Sequence, residues 1–118
     1  MRLENLTGHP IHLWNGSIDE YVYTLEESEV FSPLRCGTYR NTIGEYNGVE
    51  IIKMEYHLNV PLSLLKKIKE SCDGIVVSRI VAEQLAEFGY NGDIYMIGNK
   101  KRNEDGRVIG CYGLAKYN

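Results

Sequence analysis

Apolar and polar positions along the chain change period as they go, and the changes mark out its elements. In the first third, β-branched and aromatic residues gather in Leu3–Trp14, around a Gly8–His9–Pro10 break, and again in Tyr21-Val22-Tyr23-Thr24-Leu25. Such residue types suit a pleated surface better than a helix. Asn15–Gly16, just before the run Ile18–Leu25, is a strong hairpin signal. Ser32–Thr42 contains Pro33 and Gly37 and reads as a loop with a short strand. Gly48–Leu58 (GVEIIKMEYHL) sets Val49 and Ile51 against Glu50, Lys53 and Glu55 and reads as a strand.

The period then lengthens. Asn59 and Pro61 mark a helix start, since proline is tolerated in a first turn. Leu62, Leu65, Ile68 and Cys72 recur at helical spacing, with Lys66, Lys67, Lys69 and Glu70 on the other face, until Asp73–Gly74 ends the helix. Ile75-Val76-Val77 is short and wholly apolar, the pattern of a strand covered on both faces. Ser78 is placed to cap a second helix with Val81, Leu85 and Phe88 inward and Gly89 at its close. Gly92–Gly98 and Arg107–Tyr117 read as strands joined through Asp105–Gly106. The order predicts one α+β domain over residues 1–118, with a mixed, mainly antiparallel sheet and two helices.

Composition narrows the class without naming a function. With 118 residues, 43% hydrophobic and 25% charged, the chain is neither disordered, collagen-like nor a disulfide-dense mini-protein. Apolar runs such as Gly74–Val77 fall far short of the roughly 20 residues of a membrane span. The opening MRLENLTGHP lacks the apolar core of a signal peptide. Cys36, Cys72 and Cys111 show no zinc spacing and cannot all pair, which points to a reducing cytoplasm. Residues 1–60 carry four basic against nine acidic residues, whereas residues 61–118 carry nine against seven, for a net −3. That balance disfavours a long phosphate backbone as partner but leaves room for a small anion met by a local cluster of donors.

Three places offer such donors. Ser78 and Arg79 stand where a buried strand runs into a helix, and helix N-termini hold unpaired N–H groups that attract phosphate; the same two residues serve equally as a plain cap and a solvated first-turn residue. Lys100-Lys101-Arg102 with Arg107 forms a second cationic group, which at a hairpin tip also serves solubility. Arg35 and Arg40 flank Gly37 as a third. Nine of the twelve aromatic residues are tyrosines, and Tyr39, Tyr90, Tyr95 and Tyr112 fall near these arginines. Tyr offers a base a stacking face and a hydroxyl that tolerates water, although strand tyrosines also pack across sheets. Trp14, at the first hairpin tip, calls for burial or a subunit contact. His9, His12 and His57 show no metal-binding spacing, and no GxSxG, GxxxxGK[ST] or GxGxxG string occurs. Glu55 and His57 at i/i+2 are the one geometry open to acid–base work. No catalytic residue, metal ligand or cofactor site is assigned.

Four blocks together resemble a family. They are Asn5-Leu6-Thr7-Gly8-His9; Ser32–Pro33 with Gly37-Thr38 and Arg40; Ile75-Val76-Val77-Ser78-Arg79-Ile80-Val81-Ala82; and Asn103-Glu104-Asp105-Gly106-Arg107-Val108-Ile109-Gly110-Cys111. The set is similar to small phage and prophage proteins, the Thoeris anti-defence sponges of the first type. The resemblance implies a protein that binds cyclic ADP-ribose isomers made by bacterial TIR-domain enzymes and sequesters them without cleavage, in the host bacterial cytoplasm. It further implies that cyclic oligonucleotides of CBASS signalling are held in a separate pocket by some members, and that dimers assemble into hexamers. Carried onto this chain, it places ligand contacts at Ser78, Arg79, Arg107, Arg35 and Arg40, with Tyr90 and Asn91 beside them. Position 82 is alanine among aliphatic neighbours, so base stacking falls to Tyr90 or Phe88. From the residues alone, two other classes stay open: an enzyme hydrolysing such a signal through His57 and Glu55, and a protein that inhibits a host effector directly.

Overall fold

The apolar run Ile75-Val76-Val77 lies at the centre of the fold, as a strand without a polar face must. The computed structural model describes residues 1–118. Its eight strands and two helices follow the order β1 (Leu3–Asn5), β2 (Ile11–Asn15), β3 (Glu20–Leu25), β4 (Cys36–Tyr46), β5 (Val49–Leu58), α1 (Leu62–Ser71), β6 (Gly74–Val76), α2 (Arg79–Glu87), β7 (Ile94–Arg102) and β8 (Val108–Lys116). Strand β6 is flanked in parallel by β1 and β7, β7 turns antiparallel into β8, and β2 and β3 complete a six-stranded sheet ordered β1-β6-β7-β8-β2-β3. Most paired residues are antiparallel, so the domain is α+β with a mixed sheet and two helices, as the element order predicts.

Burial follows the pleat. Ile75 and Val77 join Leu65 and Ile68 of α1, Val81, Ala82 and Leu85 of α2, and Ile94 in the main core. Val76 points the other way, into a smaller cluster with Ile11 and Cys111. Strand β2 approaches β8 so closely that a Cβ at Gly110 would stand 2.5 Å from the His12 carbonyl oxygen and 2.8 Å from the Trp14 ring. Trp14 is thus held against β8, edge-on to Tyr21 and with the Lys101 ammonium 5.0 Å from its ring centre.

Strands β4 and β5 depart from the expected single sheet. They pair only with each other, as a two-stranded arm closed by Asn47–Gly48, both at positive φ, which is the Asn-Gly pair of a tight hairpin. Strand β4 runs eleven residues where a loop and short strand were expected. Its pattern hides the strand because neither face covers the core, and Thr38 to Tyr46 are all exposed. Asn15–Gly16 instead opens a wider turn that reaches to Asp19. Two helix assignments also change. Leu62 lies exposed and Leu64 is half-buried in its stead, while Phe88 caps α2 beyond its inner stripe and is exposed. Lys100, Lys101 and Arg102 belong to β7 rather than to the hairpin tip.

Gly110→Ala is expected to destabilise the fold by about 1–3 kcal/mol, because the added methyl overpacks β2 on β8. Denaturant unfolding reads this directly, and a loss below about 0.5 kcal/mol would mean that the two strands part without cost.

Candidate functional site

One buried side chain organises the region where the strands end. Asn5, almost fully buried, donates from Nδ2 to the carbonyls of His9 (2.7 Å) and Leu25 (3.0 Å). Its Oδ1 accepts from the Thr7 backbone N–H (3.0 Å) and the Thr7 hydroxyl (2.6 Å). The Thr7–Pro10 link is therefore shaped from inside. Register does the rest: Asn5 pairs in parallel with Val76, so the segments that follow, Thr7 and Ser78, emerge at the same end of the sheet. Ligands of open sheets settle beyond the carboxyl ends of parallel strands for this reason.

A cavity of about 900 Å³ opens there, at the upper end of small-ligand pockets. Thr7, His9 and His12 form one wall; Ser78, Ile80 and Val81 of the α2 entry form the second; Arg35, Cys36, Thr38 and Tyr56 at the arm base form the third. Ile11, Val77, Ile97, Val108 and Ile109 supply an apolar lining. The Ser78 hydroxyl accepts from the Val81 N–H at 3.3 Å, so the expected cap is in place, and Arg79 and Ile80 at the start of the helix have N–H groups with no intrahelical acceptor. Arg35 enters none of the chain's ion pairs, and its guanidinium crosses Gly8, whose φ of 85° and missing Cβ leave it room. In the first wall the His12 Nδ1 lies 2.8 Å from the Thr24 hydroxyl.

Charge separates this cavity from the rest of the surface. The chain has 16 Asp and Glu residues, yet none lines it. Arg35 is thus a fixed positive charge without a counter-ion, opposite a helix N-terminus whose dipole has the same sign. Burial pushes the Cys36 and Cys111 thiols up from their ordinary range, which leaves them protonated and poor nucleophiles. No group of three His, Cys, Asp or Glu side chains is arranged to hold a metal ion.

Of the residues singled out in the sequence, the structure brings Ser78 and Arg35 together and disperses the others. Arg79 lies along its own helix, 3.3 Å from Glu83. Arg40 runs outward on the arm, 3.3 Å from Glu50. Arg107 follows the β7–β8 turn, where its N–H donates to the Asn103 side chain. Lys101 is bound to Asp19 at 2.9 Å, and hydrogen bonds from Lys101 and Tyr112 hold that carboxyl below its usual range. His57 and Glu55 stand 3.7 Å apart on the arm, with Tyr39 edge-on to the imidazole, and neither lines the cavity. Tyr90 and Asn91 line a separate cavity of about 310 Å³, with Lys69, Asp73 and Asp93. Two carboxylates make that place a poor one for phosphate. Thr7, His9, His12 and Tyr56 were missed as site residues because their meeting depends on the β1–β6 register and the path of the arm, which spacing along the chain does not carry.

No family model, curated protein or solved structure matches the chain. No helix is long and apolar enough to cross a membrane.

Two outcomes follow from this geometry. Asn5→Ala takes the amide away from the Leu25 carbonyl and the Thr7 N–H, leaves the His9 carbonyl with the Thr7 hydroxyl alone, and is expected to cost about 2–4 kcal/mol in denaturant unfolding; a loss under 1 kcal/mol would mean that water replaces the amide. Burial pushes the Tyr90 hydroxyl from 10.0 up to about 12. Between those values the unfolded chain ionises this tyrosine and the folded chain does not, so stability falls as pH rises through the window. Tyr90→Phe removes that share of the alkaline loss, read as the difference between the two unfolding curves against pH.

Proposed function

We propose that this protein binds a small cyclic nucleotide of the cyclic ADP-ribose class in the cavity between Arg35 and Ser78 and sequesters it without cleaving it. The observation that carries the reading is a large pocket in an acidic protein that contains no carboxylate, one unpaired guanidinium and a helix N-terminus. Phosphate oxygens would meet Arg35, Ser78 and the first-turn N–H groups, each a charge-assisted contact. The base would lie against the aliphatic lining, with Tyr56 as the aromatic within reach. Sequestration asks for donors, apolar contact and exclusion of water; it needs neither a nucleophile nor a metal. The sequence resemblance supports the biological setting: a phage-encoded anti-defence protein acting in the host bacterial cytoplasm as a homo-oligomer. There it would block Thoeris signalling and, through cyclic oligonucleotides, CBASS signalling.

Calorimetric titration with cyclic ADP-ribose isomers, followed by mass analysis of ligand recovered after boiling, tests the proposal. The expected result is binding in the nanomolar range, about −12 kcal/mol, with the ligand returned intact. Arg35→Ala should weaken binding by roughly 10–100-fold, since a hydrogen bond to a charged group contributes about 1.5–3 kcal/mol, while Arg107→Ala should change it less than about twofold. A cleaved ligand would make the protein an enzyme, and no heat with any isomer would turn attention to a protein partner.

A further inference from the structure

Of the three histidines in the chain, two, His9 and His12, stand on one wall of the cavity. The third, His57, has a carboxylate beside it, Glu55 at 3.7 Å. The two in the cavity have none, since no Asp or Glu lines it and neither ring enters an ion pair. Imidazole is the side chain that changes charge around neutral pH. Two of them near a guanidinium, with no fixed negative charge, make an incoming anion their counter-ion.

Of the pair, His12 is the one whose ring is held. Its Nδ1 lies 2.8 Å from the Thr24 hydroxyl across the β2–β3 ladder, and that hydroxyl lies 2.5 Å from the Tyr21 hydroxyl. His9 is tied only through its backbone. A hydroxyl both donates and accepts, so the chain from Tyr21 through Thr24 serves either state of His12. With a neutral ring, Thr24 donates to Nδ1 and Tyr21 donates to Thr24. With a charged ring, Nδ1–H donates to Thr24 and Thr24 donates to Tyr21. Nε2 carries a proton in both states and meets no acceptor of the chain, which leaves a donor for what enters the cavity. The other titrating and charged groups of the lining are Arg35, Tyr56, Cys36 and Cys111; burial keeps both thiols protonated, and the neighbouring strands β3 and β8 add no carboxylate. An opposite charge within about 4–6 Å favours the charged form of a titrating group.

We propose that His12 is a proton-linked contact of this cavity: it takes up a proton as a phosphate-bearing ligand enters, and the charged ring pairs with the phosphate. This rests on the ligand reading above and adds a regulation to it, since the protein then holds its ligand more tightly in a more acidic medium. Linkage fixes the sign. A proton bound together with the ligand makes affinity rise as pH falls, and the ligand strengthens the hold on that proton by the same factor.

The test is calorimetric titration of the full chain at about pH 5.5 and about pH 7.5, which bracket imidazole titration. The probes are ADP-ribose and a cyclic ADP-ribose isomer, whose pyrophosphate diesters do not titrate in that range. Binding should be about 3–10-fold tighter at the lower pH, and heats measured in two buffers of different ionisation enthalpy should differ by the share of a proton taken up. His12→Gln, at an exposed position, should bind with an affinity that changes less than about 1.5-fold with pH and should take up no proton, whereas His57→Gln should follow the wild type. A wild-type affinity that is flat with pH overturns this inference and leaves the ligand reading standing. So does a pH dependence that survives in His12→Gln, since another group then holds the proton. Proton-coupled binding of ADP-ribose without binding of the cyclic isomer keeps the inference and removes the cyclic-ligand reading; no heat with either probe removes both. Should His12→Gln fail to fold, the ring resonances of the wild type decide: a His12 titration midpoint that does not rise on saturation with ADP-ribose overturns it.

Discussion

The amide of Asn5 is the interaction on which the working end of this protein depends. A buried amide has two donors and an acceptor oxygen with two lone pairs, and here all are used. Those bonds join three things that sequence keeps apart: the end of β1, the Thr7–Pro10 link and the end of β3 at Leu25. An unsatisfied group at this depth costs more than an average hydrogen bond contributes, so the alternative shapes of the link are disfavoured as strongly as the native one is favoured. The Leu6 N–H donates to the Val76 carbonyl and the Leu34 N–H to the Leu6 carbonyl, both within 3.0 Å. The same few residues therefore also set the entry to α2 and the root of the arm. Three walls of the cavity are positioned from a single buried point.

What that cavity selects follows from what is missing from its lining. The chain carries 16 carboxylates against 13 Lys and Arg, while the cavity lining holds none of the carboxylates, one unpaired guanidinium and a helix N-terminus. For a protein that binds as proposed, this contrast would favour a small anion over a polymer. A duplex would have to lay its phosphates along a chain of net negative charge, while a compact ligand would touch the lining alone. The apolar side chains of β2, β7 and β8 then have their own part, since they exclude water and strengthen each electrostatic contact.

The regular elements were legible where burial wrote a period into the chain. Ile75-Val76-Val77 announced a doubly covered strand, Val81 and Leu85 an inner helical face, and Ser78 a cap, because each is fixed by local physics. Phe88 and Leu62 fooled the pattern at helix ends, where one further residue turns the side chain out of the stripe. The arm was the hardest to read. With no core to face, β4 has no reason to alternate, and its strand character rests on Thr38, Tyr39, Thr42 and Ile43 and on the Asn47–Gly48 turn, a signal equal to Asn15–Gly16. For the site, Ser78 and Arg35 could be singled out by chemistry, but nothing in spacing said that they meet. Arg79, one residue from Ser78, points along the helix to Glu83, and that difference is set by a helical rotation of about 100° per residue.

The arm and the cavity are not independent features. Thr38 and Tyr56 are paired across the ladder and both line the cavity, so the third wall is the first stretch of the arm itself. Leu58, buried and in the main core with Leu34, anchors that stretch at its root. Whatever orders the ribbon orders this wall as well, and a ligand held as proposed by Arg35 and Tyr56 would in turn hold the ribbon. Linkage makes such coupling reciprocal: whatever factor an ordered arm adds to ligand affinity, the ligand must add to the order of the arm. In a chain with few buried residues, a cavity wall taken from a two-stranded arm makes the order of that arm part of the cavity itself.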